Sequence, residues 1–281
     1  MKNLTHSGIY RLSLTAAAKT LRGSRNELNE DCYRMDQRLG VFTISDGLGG
    51  HAGGELASRL AAGALLRELQ LHLRRKQRRG TVIEAIRKAF HNANDALLHV
   101  GGFLPRFRDM GASGALAVVD DNRLYVAGAG DCRVYLIRNH DAERLTVDQT
   151  LFQVLFDAGL TQDRQQYARS RRLLWSSLGK ADFTTPEVRC ETLQPNDRVL
   201  LLTNGVTRML KDELLGRINR ITVNDTEMTE HVLNAAATLG TKDDATCLSI
   251  SLAAVHAGQN SSSDIARHSP VPAQRKINSN E

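Results

Sequence analysis

The chain has 281 residues, with 37 basic and 31 acidic side chains, a formal net charge of +6 and a pI of about 9.3. Hydrophobic residues make up 41% and charged residues 24%, ordinary globular values that exclude a fully disordered or collagen-like chain. A chain this long can bury a core without disulfides or a structural metal.

In chain order, the first predicted strand lies within residues 1–22, where Ile9 to Leu14 alternates apolar and polar side chains. Leu39 to Ser45 is a β-branched, apolar run that reads as a buried strand and stops at Asp46-Gly47. Residues 47–54 hold five glycines in eight positions, which marks a loop. Helices are predicted from Glu55 to Leu73 and from Val82 to His99. The period then changes to two: Ala115 to Val119, Arg123 to Ala127 and Val134 to Ile137 read as strands, joined by turns at Asp120 to Asn122 and Gly128 to Asp131. A helix is expected from Thr150 to Gly159, a buried strand from Arg198 to Leu202, helices from Val206 to Leu215 and Glu227 to Thr238, and a last strand from Thr246 to Leu252. Helix pairs segregated from runs of strands favour α+β layers. Residues 1–255 read as one domain, and 256–281, rich in Ser and Asn, as a disordered tail.

The densest basic run, Arg74 to Arg79, follows a predicted helix and complements its C-terminus. No aromatic residues interleave with it, as a nucleic-acid stacking platform requires, so no nucleic-acid partner is expected. No stretch approaches the roughly 18–20 apolar residues of a membrane span. The N-terminal residues lack the roughly 7–15-residue apolar core of a secretory signal. A cytoplasmic monomer without membrane contact is the expectation. The four cysteines, Cys32, Cys132, Cys190 and Cys247, form no paired metal spacing and read as reduced thiols.

Acidic or amide residues recur where predicted strands end: Asn29-Glu30-Asp31, Asp46-Gly47, Gly130-Asp131, Asn204-Gly205 and Lys242-Asp243-Asp244. Each pair alone could be only a turn. Converging strand ends would instead gather hard oxygen ligands, which suit Mg²⁺ or Mn²⁺ rather than Zn²⁺.

These motifs resemble, in order, those of the metal-dependent type 2C Ser/Thr protein phosphatases in their compact bacterial form. NED at Asn29 to Asp31 looks like the first acidic motif, and SDGLGGHAGGELAS at Ser45 to Ser58 is very close to the Gly-rich signature. The segment from Met110-Gly111, AGAGDCRVYLIR from Ala127, LTVDQ from Leu145, DRVLLLTNG from Asp197 and KDDAT from Lys242 resemble the remaining motifs. The resemblance implies a four-layer α-β-β-α sandwich of two mostly antiparallel sheets flanked by helix pairs. It implies hydrolysis of phosphoserine and phosphothreonine in proteins by a metal-bridged hydroxide, on substrates of a cognate Ser/Thr kinase. Two Mn²⁺ or Mg²⁺ ions, with a third and weaker one, would be held by Glu30, Asp31, Asp46, the Gly47 carbonyl, Asp131, Asn204 and Asp243. Asp46 would bridge two ions, and His51 would deliver a proton to the leaving oxygen.

Three departures touch the site. One puts Cys132 and Gln149 in place of the family's usual Ser and His and Ala112-Ser113 in place of its Thr pair, which read as packing changes around the ligands. Asn204 stands where the family usually has Asp, and brings no charge. Asn26 stands where the family has its phosphate-binding Arg, leaving Arg25 or Arg22 to supply the cation. Two readings therefore stay open: an active phosphatase with a retuned metal site, or a degenerate one that binds phosphoproteins as a regulatory module. Cys32 to Arg38 and Cys132 to Arg138 match the Cys-x5-Arg spacing of cysteine phosphatases, but neither stretch carries the glycines of a phosphate-wrapping loop. Trp175 is expected to pack in the core or a flap, and Thr161 to Ser170 to form that flap.

Overall fold

A computed structural model of the chain describes residues 11–25, 27–48, 52–74, 80–160 and 169–255. The chain runs through β1 (Arg11–Leu21), β2 (Asp31–Asp36), β3 (Val41–Leu48), α1 (Ala52–Leu73), α2 (Val82–Phe103), β4 (Gly111–Asp120), β5 (Arg123–Ala129), β6 (Arg133–Arg138) and β7 (Asp141–Arg144). It continues through α3 (Leu151–Asp157), β8 (Arg189–Thr192), β9 (Arg198–Leu202), α4 (Asn204–Thr207), α5 (Asp212–Arg220), α6 (Asp225–Thr238) and β10 (Ala245–Val255). The strands form two five-stranded sheets, ordered β1-β10-β9-β6-β7 and β2-β3-β4-β5-β8. Every pairing in them is antiparallel.

Three apolar interfaces make four layers. Strand side chains alternate between faces, so a continuous apolar run serves two cores at once. In β9, Val199 and Leu201 enter the core between the sheets, while Leu200 and Leu202 face the helices beyond. In β6, Val134 and Leu136 point inward, and Tyr135 and Ile137 point the other way. On the second sheet, Phe42 and Ile44 of β3 join the central core, whereas Val41 packs with Leu65, Leu69, Ile86 and Phe90 of α1 and α2. The fourth layer is α4, α5 and α6, which bury Val206, Leu215, Ile218, Met228 and Val232 against the first sheet. The α-β-β-α sandwich is thus the fold. Among the described residues no helix is long and apolar enough to cross a membrane.

The predicted helix from Val206 to Leu215 is two helices. The short α4 ends at Thr207, Lys211 is extended (φ −78°, ψ 154°), and Asp212 and Glu213 open a new first turn, where acids favour the helix N-terminus. Three strands, β2, β7 and β8, went unforeseen. The tail expected from 256 and most of the expected flap lie outside the described residues. Trp175 is not a core residue, being 49% exposed.

Asp36, at the end of β2, ties that strand to the far end of α1: its Oδ2 accepts from Gln70 at 2.7 Å and from Arg74 at 3.0 Å. Burial alone would raise its pKa, but these hydrogen bonds outweigh it and hold the carboxyl below its usual range. A depressed native pKa contributes stability above the unfolded value that is lost as pH falls through the native one. Asp36→Asn is therefore expected to cost about 1 kcal/mol at pH 7. The gap to wild type should close in strong acid; urea unfolding at both pH values checks this, and an unchanged gap would contradict it.

Candidate active site

The antiparallel register sets Asp31, the first residue of β2, directly opposite Asp46 of β3. From the other sheet, Thr203 at the end of β9 and Thr246 in β10 each donate a hydroxyl to Asp31 Oδ2, at 2.8 and 2.6 Å. The two sheets are thus hydrogen-bonded to each other through a buried carboxylate. Asp131 precedes β6, Asn204 opens α4 directly after β9, and Asp243 precedes β10. In the first sheet β9 lies between β10 and β6 and is antiparallel to both. Its C-terminal end therefore meets their N-terminal ends, which brings Asn204, Asp131 and Asp243 to one edge.

The glycines fit this crowding. A Cβ on Gly47 would lie 1.9 Å from the Gly54 carbonyl oxygen, and one on Gly205 would lie 2.0 Å from the Asp244 carbonyl oxygen. The Gly47 N–H donates to the Glu30 carbonyl at 3.0 Å, which pins the loop before β2 against β3. Asp244 completes the frame, accepting from the Gly23 N–H at 2.7 Å and the Glu30 N–H at 2.8 Å.

The acids are buried and close. Burial pushes Asp31 up to about 7, against the pull of its Thr246 and Thr203 hydrogen bonds. Burial, then the neighbouring Asp31 and Asp131, push Asp46 well above the usual carboxylate range. Burial also raises Asp131, with the Arg208 guanidinium opposing it. The Asn204 amide donates from Nδ2 to Asp46 Oδ2.

Sequence reasoning missed Arg208. Its Nη1 donates to Asp243 Oδ2 at 3.0 Å and its Nη2 to Asp131 Oδ2 at 3.1 Å. The signal was its place four residues after Asn204, one helical turn on. Of the expected phosphate-binding cations, Arg25 donates from Nη1 to Asp243 Oδ1 at 2.7 Å, and is at the site. Arg22 donates to the Glu27 carbonyl at 2.7 Å. His51 and Asn26 lie outside the described residues.

Two observations bear on a divalent cation. Oδ1 of Asp31 and Oδ1 of Asp131 are buried without a hydrogen-bond partner among the described residues, and the donors are hard oxygens whose charges repel, which a divalent ion relieves. Yet no three acidic, Cys or His side chains among the described residues close into a ready metal cage. Asn204 and Arg208 both reach into the cluster. The residues fit a metal at the Asp31–Asp46 side, and an organic cation already serves the Asp131–Asp243 side. Cysteine chemistry does not fit. Burial raises the Cys32 thiol and pushes Cys132 well up, and β2 and β6 occupy most of the two Cys-x5-Arg stretches, so neither has a thiolate in a phosphate loop.

The family model described as Protein phosphatase 2C matches residues 16–154, a span that includes Glu30, Asp31, Asp46 and Asp131. Over that span, just under half of its length, the chain is similar to the protein phosphatase 2C family. Among curated relatives, it is 29% identical to the serine/threonine protein phosphatase PstP of Mycobacterium tuberculosis over 204 residues, 73% of this chain and 38% of PstP. The chain thus spans well under half the length of that relative. It is 25% identical to the protein phosphatase PhpP of Streptococcus pneumoniae, over 75% of this chain and 85% of PhpP. Among solved structures, the catalytic domain of PstP in complex with two manganese ions superposes with a TM-score of 0.76 at 25% identity, over 86% of this chain and 99% of that one. The α-β-β-α sandwich is therefore the 2C fold.

The close approach at Gly47 gives a direct test of the site's frame. Gly47→Ala forces the Gly54 backbone away and is expected to destabilise by roughly 1–3 kcal/mol, the cost of overpacking. A variant as stable as wild type in urea would contradict the packing described.

Proposed function

We propose that this chain hydrolyses phosphoserine and phosphothreonine in proteins with the help of Mn²⁺ or Mg²⁺. The observation that carries the reading is the convergence of Asp31, Asp46 and Asp131 from two sheets, with buried oxygens on two of them that find no hydrogen-bond partner among the described residues. The match to the protein phosphatase 2C family model and the two manganese ions in the PstP domain support it. The substrates in this reading are proteins phosphorylated on serine or threonine, in keeping with the name of PstP, a serine/threonine protein phosphatase, and a Ser/Thr kinase would supply them.

Glu30, Asp31, Asp46 and the Gly47 carbonyl would hold the metal, with the Asn204 amide turned to offer its oxygen. When bound, two divalent ions lower the pKa of a water and offset charge on the phosphoryl oxygens. The protein's own groups do the rest. Arg25 holds Asp243 while its side chain stays 47% exposed, so it can grip an incoming phosphate with its fork of donors. Gln149 accepts from the Gly130 N–H at 2.9 Å, and fixes the turn that presents Asp131. Beside it opens a groove of about 380 Å³ lined by Val147, Gln149, Val154, Trp175 and Glu187, a place for substrate residues flanking the phosphate. His51 takes the role of proton donor to the leaving oxygen.

Asn204 and Arg208 also favour a second reading, because together they offset the acids without any metal: a phosphoprotein-binding module that no longer turns over. One assay separates the two. Wild type is expected to release phosphate from a phosphothreonine peptide with Mn²⁺ and to stop with chelator. Asp46→Asn should lose more than the roughly 10–100-fold that partners of metal ligands cost. Activity that survives Asp46→Asn or chelation would overturn the proposal, and peptide binding without turnover would establish the second reading.

A further inference from the structure

The topology that gathers the acids also delivers a cation to them. Because β9 ends between the starts of β6 and β10, the residue one turn beyond Asn204 can reach the acids of both flanking strands. That residue is Arg208, and its planar guanidinium spans Asp131 Oδ2 and Asp243 Oδ2 at 3.1 and 3.0 Å. Its backbone N–H donates to the Asn204 carbonyl at 3.0 Å, so its root is fixed. The side chain is mostly buried, at 19% exposure. Arg25 takes the other oxygen of Asp243 at 2.7 Å.

We propose that Arg208 is a built-in counter-cation that takes the place of one divalent ion at the Asp131–Asp243 end of the site. Guanidinium suits the role. It cannot be deprotonated in a protein, and its donors match two carboxylates at fixed geometry. A metal ion arriving at the same carboxylates must displace both its hydrogen bonds and face its charge at short range. The metals are thereby confined to the Asp31–Asp46 side, away from the two carboxylate oxygens that Arg208 occupies. The inference deepens the proposed function and rests on its metal reading.

Metal counting on the full chain tests it, by native mass spectrometry across a Mn²⁺ titration. Wild type is expected to hold at most two ions. Arg208→Lys, which keeps the charge, should hold the same number as wild type. Arg208→Ala and Arg208→Asp should each gain one ion; should the Asp variant not fold, the Ala variant carries the comparison. Equal counts in wild type and in the charge-removing variants would overturn the role of Arg208 and leave the metal reading intact. A wild type that holds three ions would do the same. A wild type that binds no Mn²⁺ would overturn both.

Discussion

Carboxylates buried where two sheets meet are the constraint on which this fold turns. An isolated buried charge costs several kcal/mol unless it is paired or neutralised. Asp31, Asp46 and Asp131 are buried together, and all three are pushed toward protonation. The molecule answers with neighbours from both sheets. Thr203 and Thr246 reach across to Asp31, Asn204 reaches Asp46, and Arg208 reaches Asp131 and Asp243. The polar edge therefore depends on the apolar core for its position. If Phe42, Ile44, Val199, Leu201 and Leu248 did not hold the sheets face to face, the hydroxyls and carboxylates would not meet.

The same edge explains why small residues stand where they do. Gly47 and Gly205 each follow a polar residue at a strand end, and each lies where a methyl group would strike a neighbouring carbonyl. Side chain, backbone and carboxylate oxygen must share a narrow space. Such crowding holds functional groups in place better than a loop does. It leaves little room for adjustment.

Much of this was legible in the sequence. The apolar run Arg198 to Leu202 matched β9 end to end because a strand buried on both faces is written as uninterrupted hydrophobicity. The acidic and amide residues at predicted strand ends gave the site its candidates, and Asp31, Asp46, Asp131 and Asn204 do stand together. The strands β7 and β8 were not legible: each is four residues long at a sheet edge, with exposed residues alternating with half-buried ones. β2 was missed because its later residues, Arg34 and Met35, face solvent. Arg208 was invisible for a different reason. Its partners lie 35 and 77 residues away, and only the strand order β10-β9-β6 makes them neighbours. Local pattern names the carboxylates of such a site more readily than the cation that sits among them.

Thermal unfolding with and without Mn²⁺ tests the central claim most directly, since the claim is that these acids are built to receive a divalent ion. Ligand at about 100 times its Kd stabilises by about 2.7 kcal/mol, or roughly 5–10 °C for a domain of this size. The account predicts a rise of that order for wild type, reversed by chelator and absent in Asp46→Ala. A wild-type melting temperature indifferent to Mn²⁺, or an equal rise in Asp46→Ala, would contradict it.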